Sequence, residues 1–137
     1  LIQLEVAQRL VAEPSTEPYG HLSVLVGTLA EGRITRRVTP KVFWPEPKVE
    51  SAVLRLTRLP DRPDRDEYVR LKALSKAVFQ HRRKTLVHTL KESGTCPDAA
   101  REALRALGLP LDARPERLSP VEFRLLARSL PATGRQA

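Results

Sequence analysis

Two stretches of the chain carry residue types that can do chemistry. In VFWPEPKVESAVLRL, Val42 to Leu56, Phe43 and Trp44 stand beside Pro45 and Pro47, and an alternating apolar segment follows. Each proline fixes φ and removes an N–H, and each pushes its predecessor toward extended geometry. The loop is therefore stiff before anything binds. A ring held in one orientation can stack on a base, a contact of about 1 to 3 kcal/mol. The same spacing also fits a proline-stiffened connection with both aromatics packed inward.

The second stretch is FQHRRKTLVHTLK, Phe79 to Lys91, where Arg82, Arg83, Lys84 and Lys91 occur without an acid and His81 and His88 can add partial charge. Guanidinium groups at a junction of helices suit bidentate phosphate contacts, and a solvated basic face is the other reading. His21, His81 and His88 share no metal-ligand spacing, and a single cysteine, Cys96, gives them no help, so a zinc site is discounted. The chain has no G-x-S-x-G, no Gly-rich phosphate loop and no compact carboxylate pair. These residues alone identify no nucleophile or general base.

Around these stretches, LIQLE reads as a short buried strand and EVAQRLV as a helix burying Val6, Leu10 and Val11. HLSVLVGTLAEG reads as a helix burying Leu22, Leu25, Val26 and Leu29, with Gly32 placed to end it. RITRRVT and SAVLRLTRL alternate and read as strands, so the proline stretch connects two strands. Proline and charge then crowd into PDRPDRDEY, which marks a domain boundary. Helices are predicted beyond it over Tyr68 to Phe79, Lys84 to Lys91, Pro97 to Leu107 and Pro120 to Leu130. Ser119, Pro120 and Glu122 spell a capping box for the last helix, with Val121, Leu125, Leu126 and Leu130 as its buried face. Gly108 is placed to stop the helix before it. The fold class is α/β, divided into an α/β part at residues 1–59, a linker at 60–66 and a helical part at 67–137. Two or three strands with two helices leave sheet edges uncovered, so the α/β part is expected to be incomplete.

With 137 residues, 41% of them hydrophobic, the chain can bury one ordinary core. Lys and Arg number 24 against 16 Asp and Glu, a net charge of +8, which suggests a polyanionic partner, nucleic acid first and an anionic membrane second. The longest apolar run, Leu22 to Ala30, falls far short of the roughly 20 residues that span a bilayer. One cysteine cannot form an internal disulfide and agrees with a reducing, cytoplasmic setting. The chain lacks methionine and begins on apolar Leu1 and Ile2, which reads as a piece of a longer protein.

Four segments taken together are specific: LIQLEVAQRLVAEP, YGHLSVL, FWPEPKVESAVLRL and FQHRRKTLVHTL. In order and spacing they resemble the C-terminal half of the KsgA/RsmA-type ribosomal RNA small-subunit adenine dimethyltransferase family. That resemblance implies the end of a Rossmann-like, S-adenosylmethionine-dependent methyltransferase domain followed by a small all-helical domain. It implies methyl transfer to the exocyclic amines of two adjacent adenosines near the 3′ end of small-subunit (16S) ribosomal RNA, in ribosome biogenesis.

By the same resemblance Phe43 stacks on the target adenine as a pocket wall, Pro45 and Pro47 hold its loop, and Lys48 and Ser51 anchor the loop or contact the RNA backbone. Arg82, Arg83 and Lys84 are the expected RNA-binding residues. His88 departs from the asparagine often found at its position, and Trp44 occupies a position the motif leaves open. The implied cofactor is S-adenosylmethionine, bound upstream of Leu1, with no metal; the implied partners are small-subunit ribosomal RNA and the immature small subunit, for a monomeric protein with no membrane. The piece alone is expected to be inactive. Two other readings stand beside this one: a non-catalytic RNA-binding or ribosome-assembly module, and a resistance-type methyltransferase of large-subunit RNA.

Overall fold

Alternating apolar and basic side chains produce the two long strands of the structure, a computed structural model that describes residues 1–131. These are β2 (Ala30–Val38) and β3 (Ser51–Arg58), paired antiparallel from Ala30 opposite Arg58 to Val38 opposite Ser51. A two-residue strand, β1 (Ile2–Gln3), pairs with the other side of β3, giving the order β1-β3-β2. Among the described residues one side of β1 and one side of β2 stay unpaired, the uncovered edges that the strand count implies.

The first helix claims more of the N-terminus than its pattern suggests. α1 spans Leu4–Leu10, so the expected strand over LIQLE shortens to two residues. Val6 is 38% exposed, whereas Ala7 is fully buried. Close approach explains the exchange, because a small side chain lets the helix lie nearer its neighbours. The same effect corrects Gly32. α2 spans His21–Leu29 and runs straight into β2, so Gly32 sits inside the strand opposite Leu56 and ends no helix. A Cβ there would fall 2.6 Å from Val11 Cγ1, so the position must stay bare for the segment after α1 to lie on the ribbon. On α2 the face also turns: Leu22 is exposed while Ser23, Val24 and Leu25 are buried. A helix apolar nearly all round gives periodicity little to choose between.

Four helices follow the ribbon: α3 (Arg65–Val78), α4 (Leu86–Glu92), α5 (Pro97–Ala106) and α6 (Pro120–Ser129). Their starts follow local chemistry. The Asp64 side chain accepts from Glu67 N–H at 2.8 Å, and Thr85 caps α4. Ser119 and Glu122 exchange the two bonds of a capping box at 3.2 and 3.1 Å. α5 gives way to the loop at Gly108, as expected. Exposed Cys96 is the N-cap of α5.

The helices share one core with the segment before them. Tyr19, Val24 and Leu25 pack with Leu71, Val78, Leu86, Leu104, Leu118, Phe123 and Leu126, most of them fully buried. Each large apolar side chain so placed contributes about 1.5 to 3 kcal/mol. Phe79 bridges the aromatic part, 6.1 Å from Tyr19 in an edge-to-face pose and 5.6 Å from Phe123. The Tyr19 hydroxyl donates to the Leu118 carbonyl at 2.6 Å, and burial pushes its pKa well above the ordinary phenol range.

α6 corrects its expected face: Val121 and Leu125 are exposed, while Phe123, Leu126 and Ala127 are buried with Leu130 half-buried. Both stripes have helical spacing, and α2 selects between them. Pro120 abuts Gly27 so closely that a Cβ on Gly27 would lie 2.5 Å from Pro120 Cγ. Gly27→Ala should therefore destabilise the protein. Overpacking typically costs about 1 to 3 kcal/mol, and alanine's better helix propensity returns just under about 1, leaving a net loss of up to about 2 kcal/mol. Urea unfolding checks this; a Gly27→Ala protein more stable than wild type would show that the crossing relaxes freely.

Candidate functional site

The proline loop occupies residues 39–50, at the end of the ribbon where Val38 meets Ser51. Ser51 lies in the central strand, opposite Gln3 of β1 on one side and Val38 on the other. Glu50 accepts from Leu4 N–H at 2.9 Å, which ties the loop to the β1–α1 junction. The loop thus emerges beside the C-terminal end of β1. A 3₁₀ turn over Pro40–Val42 leads into Phe43, whose N–H donates to the Pro40 carbonyl at 3.2 Å.

The two aromatics part ways here. Phe43 is half-buried, but Trp44 is 97% exposed, so the reading in which both pack inward fails at Trp44. A residue followed by proline is confined to extended backbone, and this one gains no packing. The Trp44–Pro45 bond is cis. Pro47 and Ser51 are half-buried, and Pro45 and Lys48 are exposed.

The basic stretch splits into different roles. Arg82 is turned onto the fold: it donates to the Glu17 carbonyl at 3.2 Å and to the Tyr19 carbonyl, and its guanidinium lies 5.9 Å from the Phe79 ring centroid. Exposed Arg83 forms no ion pair among the described residues. Lys84 reaches Glu92 at 3.3 Å, where His88 and His81 also converge at 3.1 and 3.6 Å. The hydrogen bond from Lys84 holds the Glu92 carboxyl below its usual pKa, against the opposing effect of desolvation, with further help from the charge of Lys84 and the two histidines. An acid thus stands among cations that are free of acids over Phe79 to Lys91. The signal was legible one residue further on, because His88 and Glu92 are four apart on a helix. No sequence signal linked Arg82 to carbonyls more than 60 residues away.

A groove of about 820 Å³ runs between α1 and the start of α2, lined by Glu5, Arg9, Glu17, His21, Phe79 and Arg82 among others. Phe43 is not among its lining residues, so the groove unites Arg82 with α1 and leaves the proline loop elsewhere. In it, His21 Nδ1 and Ser75 Oγ are 2.7 Å apart, and burial, then Lys72 and Lys76, lower the histidine's pKa.

A sequence profile described as ribosomal RNA adenine dimethylase matches residues 1–127, a span that takes in the proline loop, the basic junction and all six helices as far as Ala127. The chain belongs to that family. Within the family it is 42% identical over 130 residues to ribosomal RNA small subunit methyltransferase A of Rubrobacter xylanophilus, covering 95% of this chain and 48% of the relative. It is 39% identical over 137 residues to the protein of the same name from Kineococcus radiotolerans, covering all of this chain and 46% of the relative. The chain thus spans about half the length of these relatives. A solved dimethyladenosine transferase from Plasmodium falciparum shares the fold, with a TM-score of 0.72 at 19% identity over 90% of this chain and 53% of that one.

Family membership implies use of S-adenosylmethionine, and one place in this fold can be compared with the usual cradle of such a cofactor. Nucleotide cofactors in open α/β sheets sit on a glycine-bearing turn between strand and helix. Here β1 passes into α1 with no intervening residue and no glycine. Among the described residues no group of three or more His, Cys, Asp or Glu is placed to hold a metal ion. No described helix is long and apolar enough to cross a membrane.

Proposed function

We propose that the complete protein transfers methyl groups from S-adenosylmethionine to the exocyclic amines of two adjacent adenosines near the 3′ end of small-subunit (16S) ribosomal RNA, and that this chain supplies one wall of the substrate pocket and part of the RNA-binding surface. The observation that carries this is the family match across residues 1–127, which includes the proline loop. The placement of that loop adds support, since ligands of open α/β sheets bind beyond the C-terminal ends of their strands and the loop sits beside that end of β1.

An adenine must leave its stack to present its amine, and an aromatic face offsets part of that cost. Phe43, partly packed and flanked by prolines, is the ring proposed to do this; Pro45 and Pro47 hold the loop, and Ser51 anchors it in the sheet. Lys48, exposed on the same loop, is proposed to meet the RNA backbone. Arg83 and Lys84 are proposed as phosphate contacts. Arg82 joins them through the donors it retains, because a guanidinium carries five N–H groups and the carbonyls engage only part of that set. S-adenosylmethionine, bound by the part of the protein preceding this chain, would supply the electrophilic methyl. Alignment of amine and methyl then matters more than any covalent nucleophile.

The chain is proposed to divide into the end of a Rossmann-like methyltransferase domain at 1–59, a linker at 60–66 and an all-helical domain at 67–137, the last six residues of which lie outside those described. The protein is proposed to act as a cytoplasmic monomer on the immature small subunit. The complete protein, given labelled S-adenosylmethionine and each ribosomal RNA in turn, should methylate small-subunit RNA. Label confined to large-subunit RNA, or found on neither, would overturn the assignment.

A further inference from the structure

Of the five basic residues of the β2–β3 ribbon, none of which belongs to the loop or junction described above, the pairing gathers three onto one side, Arg33, Arg36 and Arg55, while Arg37, opposite Ala52, and Arg58, opposite Ala30, lie on the other. Arg33 lies directly opposite Arg55, and Glu31 opposite Thr57. A register shift between Ile34 and Arg36 sets Arg36 opposite Val53, on the same side as Arg33 and Arg55. The other side of the ribbon carries buried Ala52 and Gly32, the latter against Val11, so this arginine side faces away from α1. Arg33, Arg36 and Arg55 are all exposed and form no ion pair among the described residues. A depression of about 280 Å³ between the strands is lined by Glu31, Arg33, Thr35, Arg55 and Thr57.

Like charges directly opposite on an antiparallel pair destabilise it, so nothing in the folding of the ribbon favours Arg33 across from Arg55. A bound anion reverses the sign of that arrangement. Two facing guanidinium forks with the Thr57 hydroxyl beside them offer many donors, the Thr35 hydroxyl being given to the Val53 carbonyl at 3.3 Å; among the described residues Glu31 is the one carboxylate lining the depression, leaving the side net positive with Arg36. A side so charged is also ill suited to burial under an apolar layer of the same protein.

We propose that this outer side of the β2–β3 ribbon is a second RNA-binding surface, on which Arg33 and Arg55 hold backbone phosphates of RNA lying outside the methylated segment. The proposal rests on the RNA methyltransferase reading for its partner, and adds a surface that lies apart from both the proline loop and the basic junction. Contacts to phosphate carry no sequence information, so the surface acts on duplex RNA of any sequence.

The test is salt-dependent binding of the complete protein to two probes, a small-subunit ribosomal RNA fragment and an RNA duplex of unrelated sequence. Arg33→Gln/Arg55→Gln should flatten the slope of log K against log salt by about 1.4 to 1.8 on both, if each arginine neutralises one phosphate. It should melt no lower than wild type, since a repulsive pair is removed. Arg33→Lys/Arg55→Lys keeps both charges and should restore most of the slope. Wild-type slopes in the glutamine variant overturn the proposal; if that variant then also fails to bind intact small subunits, the surface belongs to an acidic protein partner instead. A lysine variant as flat as the glutamine one overturns it too, because the arginines would then be structural. Methyl transfer to small-subunit RNA, measured on the wild type, separates the two readings: its absence with the slope change intact strikes the enzymatic assignment alone.

Discussion

Phe43→Ala in the complete protein should slow single-turnover methyl transfer at saturating RNA by roughly 5- to 150-fold, the rate equivalent of losing about 1 to 3 kcal/mol of base stacking. RNA affinity should change by less than about threefold, because phosphate contacts dominate it. The split follows from when the ring engages. In the proposed role an adenine would meet it only after leaving its own stack, so the contact would favour the reactive arrangement over simple association. Phe43 suits this role better than its neighbour. Its half-buried position restricts the ring, whereas Trp44, 97% exposed, would have to be ordered on binding at a cost in entropy. Trp44→Ala should accordingly leave the single-turnover rate within about twofold, and Phe43→Tyr should retain most of it. A Phe43→Ala protein that melts normally and turns over at the wild-type rate would remove Phe43 from the pocket.

Glu67→Gln should cost about 3 kcal/mol at neutral pH. Glu67 opens α3 with its side chain only 10% exposed, and both Arg124 Nε and Arg128 Nε donate to its Oε1 at 2.7 Å. Arg124 also reaches Asp61 at 3.3 Å, so one guanidinium clasps the segment after β3 and the start of α3 onto α6. The hydrogen bond from Arg124 is the main cause that holds the Glu67 pKa down to about 2, from an ordinary 4.5; burial opposes it and Arg128 adds to it. A pKa depressed on folding contributes stability that is fully present above the unfolded value. The contribution is lost as pH falls from about 4.5 through about 2. At 1.36 kcal/mol per unit the depression corresponds to roughly 3 kcal/mol. Glu67→Gln also leaves Arg124 mostly buried with a weaker partner. Urea unfolding at neutral pH and at several values between 5 and 2 should show the wild type losing its advantage across that window, with a flatter profile for Glu67→Gln. Parallel profiles would mean that the guanidinium groups find other partners.

Features that depend on neighbours one to four residues away were legible in the chain. The Ser119-Pro120-Glu122 capping box, the stop at Gly108 and the strand β3 all formed as expected, because capping and pleating are local physics. Four segments in order also pointed to the family now shown over residues 1–127. Choices among equally periodic alternatives were beyond the sequence. Whether α6 buries Val121 or Phe123 depended on how closely Pro120 could approach Gly27, a contact between residues 93 positions apart. Gly32 fits a helix stop equally well until Val11 is brought against it.

The same division runs through the site. The stiffness of the proline loop is intrinsic to Pro45 and Pro47, but the sheet alone placed that loop beside the end of β1 and separated a half-buried Phe43 from an exposed Trp44. A run of cations reads as one patch in sequence. Folding sorted it into Arg82 against the Glu17 and Tyr19 carbonyls, Lys84 against Glu92, and an exposed Arg83 that forms no ion pair among the described residues. Strand register likewise set Arg33 across from Arg55, because charge is written in the sequence while its partners are decided by what tertiary packing brings within a few ångströms.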